Sequence, residues 1–475
     1  MVVKKILICF LMFVVSFEAG ARVIGTIVFD FDIAATTSLL RPPYISGVID
    51  DPTDPAAIKG IIIDVKENGK LLLPDNYTVT AISDNNLIVR DKNIIISKSA
   101  GMVNVKIIPS GVGYSNITLT LTCGKEIRSL TIFYASSAAS DVPLATFWHT
   151  GISDASAVVA LDSGYMIIAD DEVNALLVFN RYQSGLPVAS FKYGDLCGLT
   201  DGSEGNYKEV DCEAGTRSLL HPQKTYWSGS MSNGGKHLEE KPDRSCLFET
   251  VISGTGATTA FTFKGHYNDL RKQIIKWGDK NGYKLSAAAS YGMTPKSTEG
   301  FNIEGMIFGP DSTTLYIGFR APIVPATKRI KALIAPILNF ENWFNDGKPS
   351  GAPVFGNPIE LDLGGRGIRD MLRLSNGSYL IVAGSSDEIL NGALYTWTGS
   401  PSDAAILTNT MDVYALKMES AAEVIVNGHP TGKVQVVSDN GSNVFYNDDQ
   451  QTKFLSPAFK KFRSDIVDIS QLNKN

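Results

Sequence analysis

Asn302-Ile-Glu304-Gly-Met306, answered a few residues later by Leu315-Tyr-Ile-Gly-Phe-Arg320, decides how this chain folds. The pair is the clearest copy of a pattern that recurs through the second part of the sequence. A short start with an acidic residue leads into one apolar strand, and a second apolar strand follows that ends in Gly, Asp or Arg. The other starts are Asp154-Ala-Ser-Ala-Val158, Asp211-Cys-Glu213-Ala-Gly215, Gly367-Ile-Arg369-Asp370-Met371 and Glu419-Ser-Ala-Ala-Glu423. Their second strands include Tyr165-Met-Ile-Ile-Ala-Asp170, Thr225-Tyr-Trp-Ser-Gly229, Tyr379-Leu-Ile-Val-Ala-Gly384 and Lys433-Val-Gln-Val-Val-Ser-Asp439. Two or three more strands after each start make four per unit. A four-stranded unit repeated radially sets equivalent positions around one axis.

The expectation is therefore an all-β protein whose residues 141–475 form a β-propeller of five blades, or six if residues 250–300 hide another. Closing the ring removes the unpaired edges that an open sheet must protect. One segment departs from the strand pattern. His266 to Lys280 carries Tyr267, Leu270, Ile274 and Trp277 at helical spacing, which predicts a surface helix inserted after the second unit, with Trp277 as its core anchor.

Residues 22–138 predict a separate β-sandwich. Strands alternate with turn signals such as Glu67-Asn-Gly69, and in Asn116-Ile-Thr-Leu-Thr-Leu-Thr122 the residues Ile117, Leu119 and Leu121 share one face. Ala135-Ser-Ser-Ala-Ala-Ser140 reads as a linker. Asp50, Asp51 and Asp54 either ligate calcium or serve proline-stiffened turns. Ahead of the sandwich, Lys4 and Lys5, the apolar run Ile6 to Phe17 and Ala19-Gly-Ala21 make a secretory signal peptide over residues 1–21, or an uncleaved anchor helix. No later apolar run is long enough to span a bilayer. The expected location is secreted or periplasmic, with no transmembrane anchor after cleavage.

The formal charge of −6, becoming −7 without Lys4, Lys5 and Glu18, lacks the basic footprint of a nucleic-acid binder. In an oxidising compartment Cys197–Cys212 or Cys212–Cys246 are plausible pairs, beside the alternative of free thiols, and no CxxC spacing points to zinc.

The innermost strands of a propeller begin at one mouth of its channel. Asp154, Glu213, Glu304, Asp370 and Glu423 are thus expected to converge as an acidic ring. Crowded carboxylates repel, so a cation, an arginine or a proton must neutralise some of them. Arg244, Arg320, Arg366 and Arg369 lie at matching places, and a guanidinium binds carboxylate or phosphate through two parallel hydrogen bonds. The candidate roles are metal ligation by Asp154, Asp211, Glu213 and Glu304, catalysis by Glu213, Glu304 and Asp370, and ligand binding by the four arginines with Trp227. Buried Arg–carboxylate pairs that fix one unit against the next are the competing reading. Asp170-Asp171-Glu172 is either a calcium site or a solvated turn. The glycines of Leu363-Gly-Gly-Arg-Gly367 lack the Gly-Lys-Ser/Thr ending of a phosphate loop and predict a sharp turn into the channel. No Gly-x-Ser-x-Gly elbow is present, and the five histidines are scattered.

The first part resembles the Ig-like, cadherin-like modules of secreted bacterial proteins, on Ile45-Ser-Gly-Val-Ile-Asp-Asp-Pro-Thr-Asp-Pro55, Ile108-Pro109 and Gly113-Tyr-Ser-Asn-Ile-Thr-Leu-Thr120. Such modules hold or space another domain. The second part, over about 150–465, resembles an uncharacterised family of secreted bacterial propellers, a domain of unknown function. The carrying motifs are Ala169-Asp-Asp-Glu-Val-Asn174, Glu209-Val-Asp-Cys-Glu213, Tyr226-Trp-Ser-Gly-Ser230, Ile317-Gly-Phe-Arg-Ala-Pro322 and Leu363-Gly-Gly-Arg-Gly-Ile-Arg369. Glu304-Gly305, and more loosely Glu213-Ala214, is similar to the Glu-Gly openings of phytase-like and esterase-like propellers. That resemblance implies calcium-assisted hydrolysis of phosphate or other anionic esters. The alternative expectation is a non-catalytic propeller that binds a small anionic ligand or an envelope partner.

Overall fold

The computed structural model describes residues 27–32, 44–67, 70–99, 101–140, 145–199, 208–408 and 416–469. The signal-peptide reading at 1–21 falls outside them. The protein is all-β. Its first part packs two sheets face to face: Ile27–Asp32, Ile61–Glu67, Met102–Ile107 and Ile94–Ser99 against Tyr44–Val48, Glu126–Ser137, Gly113–Cys123 and Thr78–Ser83. Strict alternation explains the fit. Ile117, Leu119 and Leu121 turn inward from one sheet, meet Ile63, Val65 and Val105 of the other, and are completely buried, each stabilising the sandwich by roughly 1.5–3 kcal/mol. Tyr44–Val48 is a strand the sequence reading lacked; it runs parallel to Glu126–Ser137. Asp54 is no calcium ligand here. It caps the short helix Pro55–Ile58, accepting the backbone N–H groups of Val48 and Ala56 at 2.9 and 2.8 Å.

Among the described residues, 145–468 form five four-stranded antiparallel sheets in a propeller-like arrangement, with two small hairpins beside them. The first four sheets start at Ala155–Ala160, Cys212–Arg217, Asn302–Phe308 and Gly367–Arg373. The fifth is sewn from both ends of this part. Its leading strand is Met418–Val426, while Ala145–Thr150 closes it as the outermost strand against Lys461–Asp468. The leading strands lie side by side in a cycle, first to second and on through fifth to first.

The continuous apolar runs of the middle strands follow from this cycle, because both faces of every sheet are covered. In the first sheet Ile167, Ala169, Leu176 and Val178 pack toward Trp227 and Phe248 of the second. Their neighbours Met166, Ile168, Leu177 and Phe179 pack toward Val437 and Phe462 of the fifth. The remaining seams are filled in the same way. Residues 250–300 add no further four-stranded sheet. They complete the second sheet with Ala260–Tyr267 and then form the helix Leu270–Lys280, which begins later than its periodicity suggests because the strand runs through Tyr267. Leu270, Ile274 and Trp277 bury into the seam between the second and third sheets, and the Trp277 indole N–H donates to Gly356 O at 2.9 Å.

Cys197, Cys212 and Cys246 share the core between the first and second sheets as free, buried thiols, so neither anticipated disulfide is formed. No helix among the described residues is long and apolar enough to cross a membrane.

Candidate functional site

Each leading strand breaks its pairing near its start. The register jumps from Ala155 to Ala157, Cys212 to Ala214, Ile303 to Gly305, Ile368 to Asp370 and Met418 to Ser420. A β-bulge leaves one residue unpaired and re-aims its side chain. The five skipped residues are Ser156, Glu213, Glu304, Arg369 and Glu419. All but Glu304 line one cavity of about 800 Å³ at the mouth where the leading strands begin, and Glu304 lies just beneath it, bonded to Arg320 and Arg369.

This ring corrects the expected one. Glu213 and Glu304 belong to it, and Asp154 lines the same cavity one residue ahead of its strand. Asp370 and Glu423 do not. They occupy paired positions and line a different cavity at the far end of the strands. Asp370 accepts hydrogen bonds from Met371 N (2.7 Å), Ser420 Oγ (2.6 Å) and Ala421 N (3.1 Å), tying the fourth sheet to the fifth. Burial raises its pKa to about 6 against those donors. Glu423 accepts from Ser375 N and Oγ at an exposed turn. In the bulge positions Arg369 and Glu419 stand instead; Ser156, Glu213, Glu304 and Glu419 lie between apolar or small neighbours at the head of their strands, whereas Arg369 is followed by Asp370.

Two guanidinium groups organise one side of the cavity. Arg320 Nη1 reaches Glu304 Oε1 at 3.0 Å, and Arg369 Nη1 reaches Glu304 Oε2 at 3.3 Å and Glu419 Oε2 at 2.7 Å. Asn302 Nδ2 donates to Glu304 Oε1 at 2.9 Å. Burial disfavours the Arg369 charge, yet Glu304, Glu419 and Glu213 outweigh it and hold its pKa above the ordinary value. Glu419 rises to about 7 because burial exceeds the pull of Arg369. Arg320 is only 4 % exposed, and its Nε and Nη2 have no partner. Buried donors without acceptors are costly, so this pair has capacity for a further acceptor.

The opposite side is acidic. Asp171, Asp211 and Glu213 each offer a carboxylate oxygen within 4.8 Å of the others. Burial, then nearby carboxylates (Glu213 and Asp170 for Asp171, Glu304 and Asp211 for Glu213), holds Asp171 and Glu213 well above the ordinary range; burial raises Asp211 against the opposing pull of Arg244. Asp171 Oδ1 is buried and unpartnered. Three oxygen donors of this kind suit a hard divalent cation, whose charge would relieve the repulsion. Asp211 is bent into place by a left-handed backbone (φ 56°) and held by Arg244 Nη1 at 2.9 Å, with Ser230 Oγ also donating to it. Arg244 Nη2 takes Glu209 Oε1 at 2.6 Å, and burial followed by Asp211 lifts Glu209 to about 7. Asp154, raised to about 6 by burial, sits beside Gly441, where any side chain would collide with its carboxylate.

The acidic triplet is divided among three tasks. Asp170 Oδ1 accepts Glu172 N and Val173 N, both at 2.9 Å, and so closes the turn, while burial and then Asp154 raise it to about 8. Asp171 faces the carboxylate trio, and Glu172 lies nearer solvent at 3.8 Å from Lys453. Arg366 is spent on Asn391 O at 2.7 Å and does not line the cavity. Its loop turns on Gly364 and Gly365, both left-handed, and Gly367 lets the strand pass against Arg320 O. Trp227 is no ligand platform. It is completely buried between the first and second sheets, with its indole N–H on Thr225 Oγ1 at 3.1 Å. Asp171 is anticipated only within the calcium-or-turn triplet, and Glu209, Asn302 and Glu419 are site residues to which the sequence assigns no role.

No protein-family model and no curated protein matches the chain. Among solved structures, a quinonprotein alcohol dehydrogenase-like protein from Bacteroides thetaiotaomicron aligns at 7% identity over 90% of this chain and 84% of its own, with a TM-score of 0.28. A DUF4623 family protein from Bacteroides eggerthii aligns at 8% identity over 82% and 70%, with a TM-score of 0.26. The alpha-L-arabinofuranosidase from Podospora anserina aligns at 10% identity over 70% and 99%, with a TM-score of 0.34. At these values no activity or ligand carries over to this chain.

Proposed function

We propose that this is an exported five-bladed propeller, carried behind an Ig-like module, that hydrolyses a phosphate or other anionic ester at the bulged mouth of its channel with the help of a divalent cation such as calcium. One observation supports the reading above the rest. Groups of opposite sign line one cavity: the partly buried carboxylates of Asp171, Asp211 and Glu213 on one side, and Arg320, whose Nε and Nη2 are free, on the other. Asp171, Asp211 and Glu213 hold the cation, which supplies Lewis-acid polarisation of an ester oxygen when bound. Arg320 orients the anionic group through its free donors and is itself held by Glu304. Asp154, with a pKa of about 6, is ionised at neutral pH and takes the proton from an attacking water.

The test is hydrolysis of an aryl phosphate by chelator-stripped protein before and after calcium is returned. Activity restored by the ion, and cut about 100-fold or more in Asp154→Asn, supports the reading. A stripped protein as active as the loaded one, or no turnover across phosphate, sulfate and carboxylate esters, refutes it.

A second reading has its own observation. Arg369 and Arg244 are already paired with Glu304, Glu419, Glu209 and Asp211, and such pairs lock sheet to sheet. On that view the mouth is a binding chamber of the cell envelope, and it would take up the cation and an anionic ligand without turnover.

A further inference from the structure

The far end of the leading strands opens into a separate cavity of about 660 Å³. Its walls are mostly apolar, with Val159, Leu219, Ile307, Leu374 and Ile425 among them. Leu219 is 40% exposed, so the apolar lining continues to the protein surface.

The charges around this cavity are not balanced in what they have left to give. Its three acids are satisfied within the protein. Asp370 is held by Met371 N, Ser420 and Ala421 N; Glu423 by Ser375; and Asp162 by Gly164 N at 2.7 Å, Tyr165 N at 2.9 Å and Thr255 Oγ1. Of its three arginines, Arg181 is spent on Gln435 Oε1, Ala422 O and Glu423 O. The other two are not. Arg217 donates Nη1 to Leu161 O at 3.1 Å, and its buried Nε has no partner. Arg373 makes long hydrogen bonds, 3.4 Å to Gly309 O and 3.3 Å to Ser312 Oγ, and lies over the Tyr379 ring at 6.0 Å from its centre. Thr216, 3% exposed, presents a buried hydroxyl without a partner. Donors are therefore in surplus and every carboxylate is occupied, inside an apolar wall.

We infer that this cavity binds an amphipathic monoanion, a carboxylate or sulfonate with an apolar body, whose acid group is taken by Arg217. The apolar body lies against Val159, Leu219 and Ile425, where burial of its hydrocarbon drives binding and the guanidinium fixes its direction. The site shares no lining residue with the charged mouth and is independent of the reaction proposed there.

The probe is 1-anilinonaphthalene-8-sulfonate, followed by fluorescence on the full chain, with decanoate and decanol as competitors. Saturable binding of one probe per chain, displaced by decanoate but not by decanol, is expected. Arg217→Met weakens probe binding about tenfold, the worth of one charge-assisted hydrogen bond. Leu219→Glu, at a position exposed enough to tolerate the change, weakens it by repulsion and stands in if the arginine variant does not fold. Calcium uptake at the opposite mouth is unchanged in both. Displacement by decanol as effective as by decanoate, unaltered affinity in both variants, or absence of saturable binding overturns the inference.

Discussion

At one end of the channel every leading strand carries a bulge, and the residues turned out of register are a serine, three glutamates and an arginine. At the other end four of the five strands pair regularly, the fifth having a second bulge at Val424, and the side chains shown there are mainly apolar. A regular strand offers only two directions, and here each already belongs to a seam between neighbouring sheets. A bulge supplies a third direction, toward the axis, without emptying either seam. Charge can then be gathered where the sheets converge while the hydrophobic packing stays intact, and the cost falls on ionisation equilibria rather than on the core. Glu213, Asp171 and Glu419 all bind protons more readily than free carboxylates do.

The hardest way to break this contrast is to remove the cation that the protein supplies itself. Arg369→Met leaves Glu419 buried without its cationic partner and Glu304 with Arg320 alone, and is expected to cost about 3–5 kcal/mol in urea unfolding, with Glu419→Gln in the same chain restoring part of the loss. Asp211→Asn or Glu213→Gln keeps the fold and weakens calcium binding, measured by calorimetry, about 10- to 100-fold. Because Asp154 titrates at about 6 in the folded protein, kcat/KM for the aryl phosphate should decline as pH falls through that value and level off above it. The smallest effect belongs to the regular end. Asp370 has its pKa raised from 3.8 to about 6, so its protonated form favours the fold. Its contribution is complete below 3.8 and is lost as pH rises to about 6. Asp370→Asn should flatten that part of the stability–pH curve, change stability at neutral pH by about 1 kcal/mol, and leave calcium binding untouched.

The all-β class was legible because the apolar runs are short and recur with the same acidic or charged start. The strands Tyr165–Asp170 and Leu315–Ala321 fall where the quoted repeats put them. What the pattern hides is register. Asp370 and Glu423 look equivalent to Glu304 when only acidic residues near the strand starts are compared, but the bulges put Arg369, one residue before Asp370, and Glu419, four before Glu423, at the axial positions. Trp227 misled for a related reason: in a sheet covered on both faces an aromatic residue has nowhere to point but into a seam. Asp171 was visible only as one of three consecutive acids, and spatial proximity to Asp211 and Glu213, not spacing, singles it out. The outer strand Ala145–Thr150 stands ahead of the first repeat and shows its role only once the ring is closed.

Lys461 opens the strand that receives Ala145–Thr150, and its ammonium lies inside the joint with the sandwich, bonded to Gly47 O at 3.0 Å and Ser137 Oγ at 2.9 Å with Tyr446 beneath it. Burial depresses its pKa to about 7, despite Asp54 nearby. Excising the sandwich would strip this amine of both acceptors and uncover Tyr446 and Phe459, which now meet Tyr114 and Tyr44. A shortened chain of that kind should therefore clump or unravel from its own seam.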